Sequence, residues 1–496
     1  MFPEKKHSNS SKELNHDEQI LVEVPTHEQR RLGSCLEHKA VRARPNHRLW
    51  SALLCVASLC FSLMAATQLF AQSPQTSGTS SKQDAVSTGL TANGDRPVTE
   101  STTTNKGGTT EATDQELSAP PKINARSAAL IDATTGTLLY AKNPDLELPP
   151  ASLTKLVTLH LVYEELDAGR LSRDELVDID PKDCSPYIPY GSSLMYLHPG
   201  MKVSIRDLML GAAVVSGNDA AYVLARRISG SNEAFAAKMN EAVQKMGYTH
   251  LHFVEPSGLS ELNLVTAREF ALFCRDYIRL HPEALTQLHS VKSIEFPRPE
   301  HRAPGFVPKG TIIQYNRNPI IFSYDGADGL KTGYIIEVGY NMAATAKRGD
   351  SRFITVTLGG TGPSYAGGGA LRTKDTKNLL DWAFENFETV SLDPGQMVVQ
   401  KVWFGEKQSV ELALDGINAV TIPKVQKAAL VYRVEIPKVM DAPIAKGAPV
   451  GKLIYSLNGK DIYSVPIVTA QAVPQGNLFR RVWDGIIKFF SNIFAG

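Results

Sequence analysis

Three short motifs carry hydroxyl and amine side chains of the kind that take part in nucleophilic catalysis. The first, Ser152-Leu153-Thr154-Lys155, follows two prolines and opens a segment of helical periodicity. Because residues at positions i and i+3 share one helix face, the amine of Lys155 can reach the hydroxyl of Ser152. A serine hydroxyl attacks only when a base takes its proton, and a lysine can be that base only if burial or a neighbouring cation lowers its pKa. A helix-capping serine followed by a solvated lysine is the alternative interpretation.

The second and third motifs supply further hydroxyl, amide and amine groups. Ser216-Gly217-Asn218 separates two helical segments, and its hydroxyl could relay a proton while its amide holds a substrate amide. Lys331-Thr332-Gly333 offers a cation that would lower the pKa of Lys155 and a hydroxyl that could bind a carboxylate. Its glycine leaves room where a substrate backbone would lie against a strand. A helix–helix turn and a charged edge strand are the simpler interpretations of these two motifs.

In this order and combination, the three motifs resemble the signature of penicillin-binding proteins and class A β-lactamases. Further segments narrow the resemblance to the low-molecular-mass penicillin-binding proteins of the five/six type, which are serine D-Ala-D-Ala carboxypeptidases. These segments are Gly191–Met195, Val215–Ala221, Asn316–Asn318 and Gly339–Asn341. The resemblance covers about Ile123 to Gly496, which is nearly everything that is expected to fold.

The resemblance implies how the reaction would proceed. Ser152 would attack the carbonyl of the penultimate D-alanine in a peptidoglycan stem pentapeptide, with Lys155 accepting its proton. Ser216, together with Lys331, would pass a proton to the departing D-alanine, and Asn218 would position the substrate amide. Water would then hydrolyse the acyl-enzyme, whereas β-lactams would acylate the same serine and leave slowly. The family calls for no metal or organic cofactor.

The remaining matching residues would bind the substrate. The resemblance implies that backbone N–H groups of Ser152 and Tyr334 stabilise the oxyanion and that Gly333 leaves room for the substrate. Thr332 and Arg372 would bind the terminal carboxylate, which a guanidinium can hold in a bidentate way. After Lys331-Thr332-Gly333, the run Tyr334-Ile335-Ile336 replaces a polar continuation that is commoner in the family.

The pattern of predicted elements indicates the fold class. Strand-like runs precede a block of helices, and strands and one helix follow it, which predicts an antiparallel sheet carrying a helical subdomain. This is the α/β serine β-lactamase/penicillin-binding-protein-like transpeptidase fold that the resemblance also implies. Short β-branched runs from Val390 onward predict a small all-β domain. The predicted helices are Ser152–Leu166, Ile205–Ser216, Asp219–Ile228, Asn232–Met246, Thr266–Leu280 and Thr373–Phe387.

The ends of the chain indicate export and membrane attachment. Ser51–Ala71 contains no charged residue and follows three arginines, so the positive-inside rule places the leader in the cytoplasm. The apolar segment fits either a cleaved signal peptide or a retained signal-anchor. Asn477–Gly496 alternates apolar and charged residues at helical spacing, which predicts a helix lying in the membrane surface. A terminal helix packed on its own domain is the alternative.

These patterns predict six regions and one location. The protein is expected on the periplasmic side of the bacterial inner membrane, attached peripherally through its C-terminal helix. The regions are a cytoplasmic leader (1–49), a signal peptide or signal-anchor (50–71), a Ser/Thr/Gly-rich linker (72–121), a catalytic domain (122–389), an antiparallel β domain (390–474) and an amphipathic anchor helix (475–496).

Charge and cysteine content limit the classes of partner. A net charge of +1 argues against a nucleic-acid partner. The 5 cysteines lack the paired short spacings of zinc sites, so no metal is predicted. Cys184 and Cys274 are the two cysteines of the exported part, and the sequence leaves open whether they form a disulfide. A homodimer is compatible with the sequence, which does not decide the oligomeric state.

Three other functions share parts of this pattern. A D,D-endopeptidase that cuts peptidoglycan cross-links would use the same chemistry. A class A β-lactamase also needs a glutamate within Glu-x-x-Leu-Asn, and Glu261-Leu262-Asn263 has the wrong spacing. A non-catalytic membrane scaffold would have no reason to retain all of the motif residues. The carboxypeptidase is therefore the function that the sequence favours.

Overall fold

An antiparallel sheet forms the centre of the first part of the chain, and helices cover both of its faces. The computed structural model describes residues 117–184, 187–301, 310–391, 395, 397–399 and 401–494. The predicted leader, the apolar segment 50–71 and most of the predicted linker lie outside these described residues. The described part belongs to one compact unit, Gly107–Gly496.

The first part, residues 117–391, alternates short strands with helices before a long hairpin. Its helices are α1 (Lys155–Asp167), α2 (Ile205–Val214), α3 (Asn218–Ser229), α4 (Asn232–Lys245), α5 (Ala267–Leu280), α6 (Ile320–Ser323) and α7 (Tyr365–Asn386). Its strands are β1 (Ser127–Asp132), β2 (Leu138–Lys142), β3 (Leu176–Asp178), β4 (Lys202–Ser204), β5 (Leu251–His252), β6 (Leu264–Val265), β7 (Ser293–Phe296), β8 (Ile312–Tyr315), β9 (Ala327–Ile335), β10 (Gly339–Arg348), β11 (Ser351–Gly360) and β12 (Phe387–Ser391).

The main sheet has the strand order β2-β1-β11-β10-β9, so β9 lies at one edge. All six residues of β1 are buried, and alternate side chains enter different clusters. Ala129 and Ile131 pack with the helical block, whereas Leu130 packs with α7 residues such as Leu380. Since successive side chains of a strand point to opposite faces, the sheet is covered on both sides. This explains why its central strands read as continuous apolar runs.

The helical block is organised around α1, which begins directly after a 3₁₀ turn at Ala151–Thr154. Nearly every side chain of α1 is buried, and the helix contacts α2, α3, α4 and α5. A helix that is buried on all sides belongs to the interior of a domain. The first motif therefore starts a central helix, and Lys155 is its first residue.

The second part, residues 397–494, contains a five-stranded antiparallel sheet whose strands are, in spatial order, Val398–Val399, Val410–Leu414, Lys460–Thr469, Pro449–Leu457 and Leu430–Glu435. Its core includes Val410, Leu453, Tyr455 and Ile467, all fully buried. The elements are β13 (Val398–Val399), β14 (Lys401–Trp403), β15 (Val410–Leu414), β16 (Ala419–Pro423), β17 (Leu430–Glu435), β18 (Val439–Asp441), β19 (Pro449–Leu457), β20 (Lys460–Thr469) and α8 (Leu478–Phe494). Within the described part of the chain, no helix is long and apolar enough to cross a membrane.

The predicted elements agree with the structure in order but not in every boundary. The helix predicted at Thr373–Phe387 begins at Tyr365, because the Ser364 hydroxyl accepts a hydrogen bond from the N–H of Gly367 and caps an earlier first turn. The helix predicted from Ser152 begins at Lys155, since the 3₁₀ turn takes up the residues before it. Cys184 and Cys274, whose pairing the sequence left open, are both buried free thiols.

Candidate active site

The three motifs meet where the edge strand β9 passes the 3₁₀ turn that precedes α1. Gly333 allows this approach: a Cβ atom on Gly333 would lie 2.8 Å from the carbonyl oxygen of Pro150 and 3.1 Å from the backbone nitrogen of Ser152. Real Cβ contacts are longer than the first of these distances, so any side chain at position 333 would push β9 away from Ser152. The glycine of the third motif therefore serves the packing of β9 on the turn.

A second glycine, Gly258, lets another backbone segment approach the turn from the other side. Gly258 has φ +84°, and a Cβ there would lie 1.8 Å from the carbonyl oxygen of Ala151. Ala151 also has a positive φ of 50°, which is uncommon for a residue with a side chain. Two backbone segments are thus packed directly on one another immediately before Ser152. This packing fixes the position of the serine.

The amine of Lys155 lies at the centre of the site and is completely buried. Its Nζ is 3.1 Å from Ser152 Oγ, 2.6 Å from Asn218 Oδ1 and 2.6 Å from the carbonyl oxygen of Ser257. Burial lowers the pKa of Lys155 to about 7, although the charges of Glu255 and Asp219 act in the opposite direction. A buried charge without a close counter-ion is costly, which explains the direction of this change. Near neutral pH the amine can therefore lose its proton.

A loop between β5 and β6 presents the Ser257 carbonyl to Lys155. The carboxylate of Glu255 accepts hydrogen bonds from the N–H and the hydroxyl of Ser257 at 2.7 and 2.6 Å, and from the N–H of Gly258 at 2.5 Å. The side chain of Asn263 crosses the loop: its Nδ2 donates to Glu255 Oε1, and its Oδ1 accepts from the N–H of Val254. The loop is therefore fixed from within, and the Ser257 carbonyl is preorganised.

The second motif lies in the turn between α2 and α3. Ser216 is buried and has a positive φ of 63°, and Asn218 is the first residue of α3. The Asn218 N–H donates to the carbonyl of Ser193 at 2.9 Å. The buried carboxylate of Asp219 accepts hydrogen bonds from the N–H groups of Met195 and Leu197. The structure thus joins the second motif to the segment Gly191–Met195, which the sequence singled out.

The third motif places a second buried amine next to the first. Lys331 is 1% exposed, and its Nζ donates to the carbonyl of Thr332 at 2.9 Å. Burial lowers the pKa of Lys331 well below its ordinary value, and the charges of Lys155, Arg372 and Arg317 lower it further. The sequence left two causes open for a low pKa at Lys155, burial and the cation of Lys331. Burial is the principal cause, because the amine lies inside the helical block.

The groups predicted to bind a carboxylate lie along β9. The Thr332 hydroxyl donates to the carbonyl of Arg317 at 3.4 Å, and Arg372 Nη1 donates to the carbonyl of Gly333 at 3.4 Å. Burial lowers the pKa of Arg372 to about 10, so it is still cationic at neutral pH. The side chain of Tyr334 contacts two other aromatic rings, Tyr340 and Tyr365, with centroids 4.7 and 5.2 Å away.

Several residues of the site were not predicted from the sequence. Glu255, Ser257 and Gly258 belong to a loop with no catalytic motif, and Ser257 contributes only its carbonyl. In the sequence, Asn263 belongs only to a β-lactamase-like motif with the wrong spacing. In the structure it is a buried residue that organises this loop. The run Glu255-Pro256-Ser257-Gly258 does carry a turn signal. Among the described residues, no group of three or more His, Cys, Asp or Glu side chains could hold a metal ion.

Comparison with known proteins shows the family of this chain. The peptidase S11 family, described as D-alanyl-D-alanine carboxypeptidase, matches residues 113–362. A second family, described as the C-terminal domain of penicillin-binding protein 5, matches residues 387–475. The chain belongs to the D-alanyl-D-alanine carboxypeptidase family. It is a serine peptidase of that family, and its fold is the penicillin-binding-protein-like transpeptidase fold with an all-β C-terminal domain.

Individual members of the D-alanyl-D-alanine carboxypeptidase family are similar over most of the chain. The chain is 35% identical to D-alanyl-D-alanine carboxypeptidase DacA of Haemophilus influenzae, covering 76% of this chain and 92% of that protein. It is 36% identical to DacC of Escherichia coli, over 77% of this chain and 92% of that one. The solved structure of penicillin-binding protein 5 from Haemophilus influenzae has a TM-score of 0.62 and covers 72% of this chain and 99% of that chain.

The direct backbone packing at Gly258 gives a testable prediction. Gly258→Ala should slow acylation of the protein by penicillin about 100-fold, because a displacement of about 1 Å at the nucleophile has effects of this size. It should also lower the free energy of unfolding by about 3 kcal/mol or more, from positive-φ strain together with overpacking.

Gly247→Ala is the matched control for this variant. Gly247 also has a positive φ, of +89°, but nothing lies within 4 Å of a Cβ built there. The control should lose only about 1–2 kcal/mol of stability and keep its acylation rate. Equal acylation rates in the two variants would contradict the role assigned to Gly258. Acylation rates come from stopped-flow with a fluorescent penicillin, and stabilities from urea unfolding.

Proposed function

We propose that this chain removes the terminal D-alanine from peptidoglycan stem pentapeptides through an acyl-enzyme on Ser152. The observation that carries the proposal is the contact between the buried Lys155 amine and the Ser152 hydroxyl. A lysine with a pKa of about 7 is close to the pKa that suits a general base at neutral pH. Membership of the D-alanyl-D-alanine carboxypeptidase family supports the same activity.

The surroundings of Lys155 suit an uncharged amine. A neutral amine has two N–H donors and one lone pair, and Lys155 has three polar neighbours. The side-chain oxygen of Asn218 and the main-chain carbonyl oxygen of Ser257 are each 2.6 Å from Nζ and can only accept hydrogen bonds. They take both N–H groups and leave the lone pair for the hydroxyl proton of Ser152 at 3.1 Å. The site therefore orients the lone pair toward the proton that must be removed.

The proposed reaction then proceeds through two acyl transfers. Ser152 Oγ forms a bond to the carbonyl carbon of the penultimate D-alanine while its proton passes to Lys155. Backbone N–H groups of Ser152 and Tyr334 stabilise the oxyanion. Ser216, with Lys331, passes a proton to the departing amine as the C–N bond breaks. Water hydrolyses the resulting ester and restores the hydroxyl.

The remaining polar groups bind the substrate in this proposal. Asn218 positions the substrate amide, and Thr332 and Arg372 bind the terminal carboxylate, since Arg372 remains cationic at neutral pH. Gly333 lets β9 lie against the turn that carries Ser152, and the edge of β9 that pairs with no described strand is available to the substrate backbone. A β-lactam imitates the same dipeptide and carries a carboxylate, so it acylates Ser152 by the first half of the reaction.

Removal of the nucleophile tests this proposal. Ser152→Ala should reduce release of D-alanine from diacetyl-Lys-D-Ala-D-Ala by a factor on the order of 10⁶, to background, because no other group replaces the nucleophile. It should also abolish labelling by penicillin and leave the thermal melting temperature nearly unchanged. Ser172→Ala changes an exposed serine outside the site and is the matched control. Continued D-alanine release by Ser152→Ala would refute the assignment.

We further propose that the protein lies on the periplasmic face of the inner membrane and is held there through α8. Large apolar side chains of this helix are exposed, among them Phe479 at 79% and Trp483 at 56%. The polar face of α8 contacts the β domain: the carboxylate of Asp484 accepts a hydrogen bond from the N–H of Phe404 at 2.7 Å, and Lys488 pairs with Asp441. A helix docked by its polar face presents its apolar face to a lipid surface.

Deletion of the C-terminal segment tests this attachment. The full chain lacking Asn477–Gly496 should no longer bind phospholipid vesicles in a flotation assay, because the exposed apolar face is gone. Its release of D-alanine should be unchanged, since no residue of the site lies in that segment. Continued vesicle binding would show that the apolar segment 50–71 is the real anchor.

A further inference from the structure

An open cavity borders the proposed carboxylate-binding groups and has no part in the reaction described so far. Its volume is about 530 Å³, and its walls come from the segment around α6 and from the first turns of α7. Arg372 lines this cavity, as do Arg317, Phe322, Gly369 and Ala370. Arg372 therefore belongs both to the lining of the cavity and to the site proposed for the terminal carboxylate.

We propose that this cavity receives the side chain of the departing C-terminal residue, and that it accepts acidic D-amino acid side chains longer than the methyl group of D-alanine. The proposal rests on the carboxypeptidase function proposed above. The side chain and the carboxylate of the departing residue are attached to the same carbon atom. A carboxylate bound by Arg372 therefore brings the side chain to the cavity that Arg372 lines. A methyl group is about the size of a water molecule, whose share of liquid volume is about 30 Å³, so D-alanine leaves most of the cavity unfilled.

The charges of the lining favour an acidic side chain. Two arginines, Arg317 and Arg372, line the cavity, and none of its described lining residues is acidic. The buried Nε of Arg372 has no hydrogen-bond partner among the described residues. When Arg372 binds the main-chain carboxylate, the exposed Arg317 remains for a second anionic group. Guanidinium groups bind carboxylates in a bidentate way.

Two small residues at the start of α7, Gly369 and Ala370, line the cavity. A Cβ on Gly369 would meet only Arg372 Nη2, at 4.0 Å, so a side chain would fit there. Its neighbour Gly368 differs, since a Cβ at that position would lie 2.0 Å from the ring of Tyr340. Packing therefore explains Gly368 but not Gly369, and Ala370 is exposed. Larger residues at these two positions would reduce the volume of the cavity.

The chemistry is unchanged by a larger departing residue. Ser152 Oγ forms an ester with the penultimate D-alanine, the C–N bond breaks, and the amine of the departing D-amino acid takes the proton. Water then hydrolyses the ester. The reaction needs no additional reactant.

The test uses the full chain and three peptides that differ only in the last residue. The peptides are diacetyl-Lys-D-Ala-D-Ala and its analogues ending in D-Glu or D-Lys, and kcat/KM is measured by release of the last residue. D-Glu should be released with a kcat/KM at least about tenfold above that for D-Lys, and within about fivefold of that for D-Ala. Arg317→Gln should bring the values for D-Glu and D-Lys to within about threefold of each other, because the second cation is gone.

Ala370→Phe tests the volume of the cavity, with Ala370→Ser as the matched control. The aromatic side chain should lower kcat/KM for D-Glu relative to D-Ala at least about tenfold, whereas the serine should leave this ratio unchanged. Release of D-Ala without release of D-Glu by the wild-type chain would overturn this inference and leave the carboxypeptidase function intact. An Ala370→Phe variant with the wild-type ratio would also overturn it. A wild-type chain that does not release D-Ala would instead refute the function on which the inference rests.

Discussion

Burial of the Lys155 amine determines how the surrounding residues of the site must be arranged. Lys155 has no exposure to solvent, and its Nζ lies within hydrogen-bonding distance of oxygen atoms of Ser152, Asn218 and Ser257. Because water cannot solvate the ammonium form there, the neutral form is favoured and the pKa falls to about 7. Because the amine is buried, both N–H groups of its neutral form need hydrogen-bond acceptors. These acceptors are the side-chain oxygen of Asn218 and the main-chain carbonyl oxygen of Ser257. What remains is a lone pair directed at Ser152.

Contacts between backbone segments position the residues around Lys155. Gly333 lets the edge strand β9 approach Ser152, and Gly258 lets the loop between β5 and β6 approach Ala151 from the other side. The central helix α1, buried on all sides, then carries Lys155 into the interior. These elements are far apart in sequence, so the site exists only when the sheet, the helical block and the loop have all assembled. Small displacements of any of them change the distance between the amine and the hydroxyl.

The sequence predicted the parts of this site that depend on side-chain identity. The three motifs, the order of the strands and helices, and the family all follow from residues that could be recognised in the chain. The Ser257 carbonyl could not be predicted, because a backbone atom has no sequence signature. The loop bonds of Glu255 and Asn263 are likewise visible only in three dimensions. The sequence left open whether burial or the cation of Lys331 lowers the Lys155 pKa, because the burial of a side chain becomes visible only in the folded structure. The early start of α7 depended on a serine cap followed by glycines, which obscured the helical periodicity.

The pH dependence of acylation shows whether the neutral Lys155 amine takes the proton of Ser152. The rate constant for acylation of the full chain by a fluorescent penicillin should increase about tenfold per pH unit at low pH and level off above a midpoint near pH 7, because only the neutral Lys155 amine can accept the Ser152 proton. The sign follows from the lowered pKa: below it the amine is protonated and has no lone pair. A rate that stays constant down to pH 5, or a midpoint near the ordinary lysine value of 10.5, would contradict the account.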